Sequence, residues 1–167
     1  THADKVLFPD DGFTKADLAA YYRDVAPAMV DLVRDRPVSL LRFNDGIAKQ
    51  GFFQKNVERG APDWVKRVRV GKRGGSLWHV LANDAATLVW LANLADLELH
   101  TSLAKARDSK APTILAFDLD PGEPATAIEC ARVALDLRDV FSRLGLQGFP
   151  KTSGSKGMQV YVPLNTP

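Results

Sequence analysis

The sequence predicts an α+β fold in which mixed or antiparallel sheets are flanked by helices. Three observations carry that reading. Residues 64–70 and 77–81 alternate around a glycine-rich basic turn, the pattern of a hairpin. Two long stretches, one opening at Thr14 and one stopping at Gly145, repeat apolar residues at helical spacing. The early strands follow one another through turns rather than alternating with helices, which argues against a doubly wound parallel sheet.

The elements follow in order. Thr14 with Asp17 three residues later reads as a capped helix start, after which Leu18, Tyr21, Tyr22, Val25 and Met29 recur at helical spacing. Pro27 is expected to begin a new helical turn, because proline inside one continuous helix costs about 3 kcal/mol. Residues 38–43 read as a strand, Asn44-Asp-Gly46 as a turn and 51–55 as a second, short strand. Segment 64–70 is a half-exposed strand, Gly71-Lys-Arg-Gly-Gly75 a basic loop and 77–81 the returning strand. Asn83 or Asp84 can cap a helix through about residue 94, and 97–100 alternates as a short strand. The apolar run 114–120 ends in two acids, which predicts a buried central strand with an exposed end. Residues 123–144 form a strong helix with Ile128, Val133, Ala134, Leu137, Val140, Phe141 and Leu144 on its apolar side. Cys130 falls near that side and reads as a buried small hydrophobe. Segment 158–164 is the last strand.

Composition sets the outer limits. At 167 residues, with no linker or repeat, the chain is expected to be a single domain over 1–167. Hydrophobic residues at 46% and charged residues at 25% exclude a disordered or fibrous chain. The single cysteine excludes an internal disulfide and a cysteine-based zinc site. The longest apolar stretch, 85–99, is cut by Asn93, Asp96 and Glu98, so no membrane span is expected. The first residues lack the basic-then-apolar layout of a secretory leader, and the lone cysteine is what a reducing cytoplasm would leave, so a cytoplasmic location is expected. With 22 Lys+Arg against 20 Asp+Glu, the net charge of +2 does not diagnose a nucleic-acid partner. Any such case rests on where the cations sit.

The sharpest chemical signal is Phe117-Asp-Leu-Asp120. On a strand, Asp118 and Asp120 point to one face about 7 Å apart along the chain. Like charges so placed repel unless a cation sits between them, and hard carboxylate oxygens suit Mg²⁺ or Mn²⁺. The competing reading is a solvated strand end. Lys151-Thr-Ser-Gly-Ser-Lys-Gly157 is a small-residue loop whose backbone N–H groups and lysines can cradle an anion; otherwise it is a flexible turn. A strand–helix–strand path between the acids and this loop can bring both to one sheet edge. Basic and aromatic residues interleave through Lys5, Lys15, Arg42, Phe52, Phe53 and Lys55, a pattern that can stack bases and hold phosphates, or simply divide between core and surface. His2, His79 and His100 lack metal-ligand spacing.

These motifs together resemble a known family. Ala3-Asp-Lys-Val-Leu-Phe-Pro9, Thr14-Lys15, Gly51-Phe-Phe-Gln-Lys55, Leu97-Glu-Leu-His100, Phe117-Asp-Leu-Asp-Pro-Gly-Glu123 and Phe149-Pro-Lys-Thr-Ser-Gly-Ser-Lys-Gly157 stand in the order found in the polymerase domain of bacterial ATP-dependent DNA ligase D, a branch of the archaeo-eukaryotic primase superfamily. The resemblance implies a nucleotidyltransferase that adds ribo- or deoxyribonucleotides at DNA double-strand-break ends during non-homologous end joining. It implies a two-ion Mn²⁺ or Mg²⁺ site on Asp118 and Asp120. It places His100, Ser153, Lys156, Gln159 and Arg42 on the incoming nucleotide, and Lys5 and Lys15 on the 5′-phosphate of DNA. Phe52, Phe53 and Lys55 would lie along the template. Partners implied are 5′-phosphorylated DNA ends or gaps, NTP or dNTP, Ku and an ATP-dependent DNA ligase.

Two departures stand against a full transfer of that activity. Gln159 occupies the position where the family has histidine, so a hydrogen-bond donor is kept without positive charge. The family's third catalytic aspartate is expected beyond residue 167, so the chain reads as the N-terminal portion of the family domain. An alternative is therefore a catalytically incomplete module that binds 5′-phosphorylated ends. An apolar strand ending in Asp-x-Asp is also the hallmark of haloacid dehalogenase-type phosphatases, but the Pro-Gly-Glu that follows here is not theirs.

Overall fold

The computed structural model describes residues 2–57 and 60–164. They form two compact units, the first ending at Ser109 and the second starting at Lys110. Antiparallel sheets and three helices give the expected α+β class. No helix among the described residues is long and apolar enough to cross a membrane.

The first unit opens with the paired strands β1 (Val6–Phe8) and β2 (Phe13–Thr14), which lead into α1 (Lys15–Val33). Leu18, Tyr22, Ala26, Val30 and Val33 form the buried stripe of α1. Pro27 does not start a new turn; it lies within the continuous helix, on the exposed face. There the carbonyl of Arg23, whose helical N–H partner the proline removes, can be hydrated instead. A five-stranded sheet follows: β3 (Pro37–Arg42), β4 (Phe52–Gln54), β5 (Arg67–Lys72), β6 (Gly75–Leu81) and, after α2 (Ala85–Asn93), β7 (Asp96–Thr101). Strand β3 is the hub. It pairs antiparallel with β7 along one edge and with β4 and β6 along the other. Val38 and Leu40 on β3, with Leu88 and Leu91 on α2, are fully buried in a core shared with α1.

The β5–β6 hairpin is longer than predicted and begins later. Its ladder runs to Lys72↔Gly75, leaving a two-residue turn in which Gly74 adopts φ +80°. Trp64 precedes β5 in a turn closed by Val65 N–H donating to Pro62 O.

The second unit is a three-stranded antiparallel sheet in the order β8 (Ile114–Leu119), β10 (Met158–Pro163), β9 (Phe149–Thr152), with α3 (Ala127–Arg143) on one face. Two expectations are corrected here. β8 is an edge strand and only half buried, because β10 returns antiparallel to it and takes the centre. Helix α3 starts after Thr126, whose side chain and Glu129 form a reciprocal capping box, rather than at 123. Only part of its apolar stripe is covered. Phe141 packs with Ala134 and Leu137 on Val160 and Val162, whereas Ile128, Val133, Val140 and Leu144 are exposed. A three-stranded sheet is too narrow to cover a wider stripe. Cys130 is buried, as expected, and its thiol donates to Leu119 O.

Candidate functional site

Local signals at the start of the chain place two lysines. Thr14 caps α1: its hydroxyl accepts from Asp17 N–H, and Asp17 Oδ2 accepts from Thr14 N–H at 2.8 Å. Lys15 is thereby the first helical residue, and its N–H donates to Lys5 O at 2.8 Å. Lys5 and Lys15 line one cleft of about 520 Å³ with Arg42, Asn44 and Asn93. Burial first, then the charges of Lys5 and Arg42, hold the Lys15 ammonium below its ordinary range. Lys5 Nζ also meets Asp45 Oδ1 at 3.1 Å, an exposed pair that contributes at most about 1 kcal/mol.

Arg42 is held on all sides. Its Nε donates to Leu94 O at 2.8 Å, one terminal nitrogen donates to Asn44 Oδ1 at 3.0 Å and the other to Gln54 Oε1. Its guanidinium also lies 5.3 Å from the Phe52 ring centroid. The structure therefore gathers Arg42 with Lys5 and Lys15 rather than with His100.

Strand alternation sends the two phenylalanines of β4 to opposite faces. Phe52 pairs with Arg42 and Phe53 with Leu41. Phe53 meets His100 edge-on, with ring centroids 4.9 Å apart. His100 Nε2 lies 3.0 Å from Glu98 Oε2. These rings, with Lys55, Ser39 and His79, line a second cleft of about 480 Å³ on the sheet face turned away from α1 and α2. Phe52 and Phe53 are both exposed, at 44% and 57%, so neither is core. Exposed aromatic rings beside cations can stack bases.

In the second unit the acids end β8 on the sheet face away from α3. The register sets Asp118 opposite Gln159, and Gln159 opposite Lys151. Gln159 Nε2 donates to Asp118 Oδ1 at 3.2 Å, and the Tyr161 hydroxyl donates to Gln159 Oε1 at 2.8 Å. Lys151 Nζ sits 5.2 Å from the centre of the Tyr161 ring. Thus Gln159 is turned toward a carboxylate, and Tyr161, which the sequence reading does not single out, joins the cluster of Asp118 and Lys151. Loop 153–157 is drawn shut by Ser153. Its hydroxyl donates to Gly157 O at 3.0 Å, and its oxygen accepts from Gly157 N–H at 3.3 Å. Gly154 takes φ +86°, which glycine adopts without strain. Gly157 is pressed against the end of β8: a Cβ there would come within 2.9 Å of Asp120 Oδ1. Ser153, Lys156 and Asp120 are exposed around this junction.

Two exposed carboxylates supply hard oxygen donors of the kind that suit a hard divalent cation. No group of three or more His, Cys, Asp and Glu stands ready for a metal among the described residues. The chain thus offers two acidic ligands at this place.

A family model described as the LigD primase-polymerase domain matches residues 14–167. The chain belongs to the LigD primase-polymerase family. It is 38% identical, over its whole length, to the multifunctional non-homologous end joining protein LigD of Mycolicibacterium smegmatis, of which it covers 22%. It is 32% identical over 99% of its length to the bifunctional LigD of Bacillus subtilis, covering 26% of that protein. The chain therefore spans about a quarter of these relatives. Its fold matches the polymerase domain of Mycobacterium tuberculosis ligase D, solved in complex with DNA, with a TM-score of 0.90 and 38% identity, covering all of this chain and 61% of that one. The LigD polymerase family is one of metal-dependent, DNA-directed nucleotidyltransferases, and these relatives are named as end-joining proteins.

Proposed function

We propose that this chain is part of a nucleotidyltransferase that adds ribo- or deoxyribonucleotides at broken or gapped DNA during bacterial end joining. The observation that carries the reading is the closure of loop 153–157 on Asp120. A compact loop carrying the exposed Lys156 would hold a triphosphate where Asp118 and Asp120 lie at the end of a strand. Asp118 and Asp120 would ligate Mn²⁺ or Mg²⁺, which neutralises phosphate charge and activates the attacking hydroxyl. Ser153 and Lys156 would bind the triphosphate. In the first unit, Lys5, Lys15 and Arg42 would take the 5′-phosphate of DNA, with Phe52 beside them, while His100, Phe53 and Lys55 would line a base-stacking pocket. The chain would then be the N-terminal portion of a primase-polymerase domain, acting in the bacterial cytoplasm at the nucleoid with Ku and an ATP-dependent ligase as partners.

The test is nucleotide addition by the protein carrying this chain on gapped, 5′-phosphorylated DNA, with Mn²⁺ and Mg²⁺ and with NTP and dNTP. Addition that is lost in Asp118→Ala and Asp120→Ala supports the reading; none with either metal sinks it. A second reading, a 5′-phosphate-binding module without catalysis, is favoured by the completeness of the Lys5–Lys15–Arg42 cleft within the first unit. It requires tighter binding to phosphorylated than to unphosphorylated ends in the absence of metal and nucleotide, and no addition under any of these conditions.

A further inference from the structure

The side chains around Asp118 form a directed series. Tyr161 O–H donates to Gln159 Oε1, and Gln159 Nε2 in turn donates to Asp118 Oδ1. An amide has one oxygen that accepts and one nitrogen that donates, and its two orientations are otherwise nearly equivalent. A hydroxyl that donates to the oxygen end selects one of them, and the NH₂ is left facing the carboxylate. Strand geometry supplies the placement: Gln159 stands directly opposite Asp118, and Tyr161 is two residues further along the same face. Lys151, across from Gln159 on β9, sits over the Tyr161 ring and favours that ring position.

We infer that Tyr161, acting through Gln159, is a positioning residue that holds Asp118 with Oδ1 occupied and Oδ2 turned to a divalent cation. The relay is neutral. It orders the carboxylate without adding a charge that would compete with the metal. Groups that orient a ligand in this way are worth about 10- to 100-fold in metal affinity. Gln159 thereby departs from the phosphate-donor role that its place in the motif suggests. The inference rests on the reading of Asp118 as a metal ligand, so the experiment separates the two.

Mn²⁺ binding to the full chain is followed by electron paramagnetic resonance, without DNA or nucleotide, for the parent protein, Asp118→Asn, Tyr161→Phe, Gln159→Leu and the Tyr161→Phe/Gln159→Leu double variant. Phenylalanine keeps the ring beneath Lys151, and thermal melts check that each variant is folded. The expected result is loss of binding in Asp118→Asn and roughly tenfold weaker binding in Tyr161→Phe. The double variant should bind no more weakly than Gln159→Leu alone, because a residue acting through another adds nothing once the intermediary is gone. Unchanged Mn²⁺ affinity in Tyr161→Phe, or additive losses in the double variant, overturns the relay while leaving the metal reading intact. Mn²⁺ retained by Asp118→Asn overturns the metal reading, and the relay with it. Side-chain amide resonances of ¹⁵N-labelled Gln159 give a metal-free check: they should move in Tyr161→Phe, and a spectrum identical to the parent's counts against the hydroxyl lock.

Discussion

Asp96 stands directly opposite Arg42 across the β3–β7 ladder, fully buried, with no hydrogen bond closing on either carboxylate oxygen among the described residues. A bulge between Leu41 and Arg42 brings the two into line. Burial pushes the Asp96 carboxyl up to about 8, against the pull of the Arg42 charge.

That shift makes stability depend on pH. The folded state keeps a proton on Asp96 that the unfolded chain releases near pH 4, so between about pH 4 and 8 the native state binds more protons than the unfolded state. Stability attributable to this group therefore falls as pH rises through that window. Asp96→Asn should remove the slope. It should raise stability at pH 8 by up to about 5 kcal/mol, with the gain fading toward pH 4. Urea midpoints across pH 4–8 measure this; parallel curves for the two proteins would contradict it.

Lys15 is shifted in the opposite direction, downward. Its depressed ammonium loses charge at lower pH than an ordinary lysine, so preference for 5′-phosphorylated DNA should decline early on the alkaline side. Lys15→Arg should keep the preference through that range, and Lys15→Ala should abolish it. Each lost phosphate contact also flattens the log affinity–log salt slope by about 0.9. Titrations of paired phosphorylated and unphosphorylated ends at several pH and salt values read both effects, and Asp118→Ala should leave them unchanged.

The capping box at Thr14 does more than start a helix, because the next residue is Lys15. Thr14→Ala should cost about 1 kcal/mol of stability, visible in denaturant midpoints, and should weaken binding to phosphorylated ends as α1 frays at its first turn. Thr126→Ala at the start of α3 should cost the same stability without altering that binding.

Gly157→Ala tests the close approach of loop and acid. The added methyl would meet the Leu119 carbonyl and the Asp120 carboxylate, so β8 and β10 must separate locally. The expected cost is about 1–3 kcal/mol, together with weaker Mn²⁺ binding. Gly122→Ala, where a Cβ meets nothing within 4 Å, is the control that should show neither effect.

Much of this was legible in the sequence wherever a local rule decides the outcome. Thr14 with Asp17, Asp84 before α2 and the alternation around Gly74 needed no knowledge of the rest of the chain. Thr126-Ala-Ile-Glu129 carries the same signature and marks the start of α3. The place of Pro27 inside α1 depends on which carbonyl faces water, a property of packing rather than of spacing. An apolar run such as that of β8 does not distinguish a central strand from an edge strand. The acid pair, the loop, the lysines and His100 are visible as residue types, and the strand–helix–strand path already brings acids and loop to one sheet edge. The places of Arg42 and Tyr161 are not visible in this way. Arg42 joined the lysines through β3 pairing, and Tyr161 joined Asp118 only through antiparallel register.

Strand β4 is three residues long and, among the described residues, pairs only with β3. Phe52 faces Arg42 and Phe53 faces His100, so this short ribbon presents one ring to each side of the sheet. Alternation alone thus commits the two adjacent phenylalanines to different companions, a guanidinium on one side and an imidazole on the other.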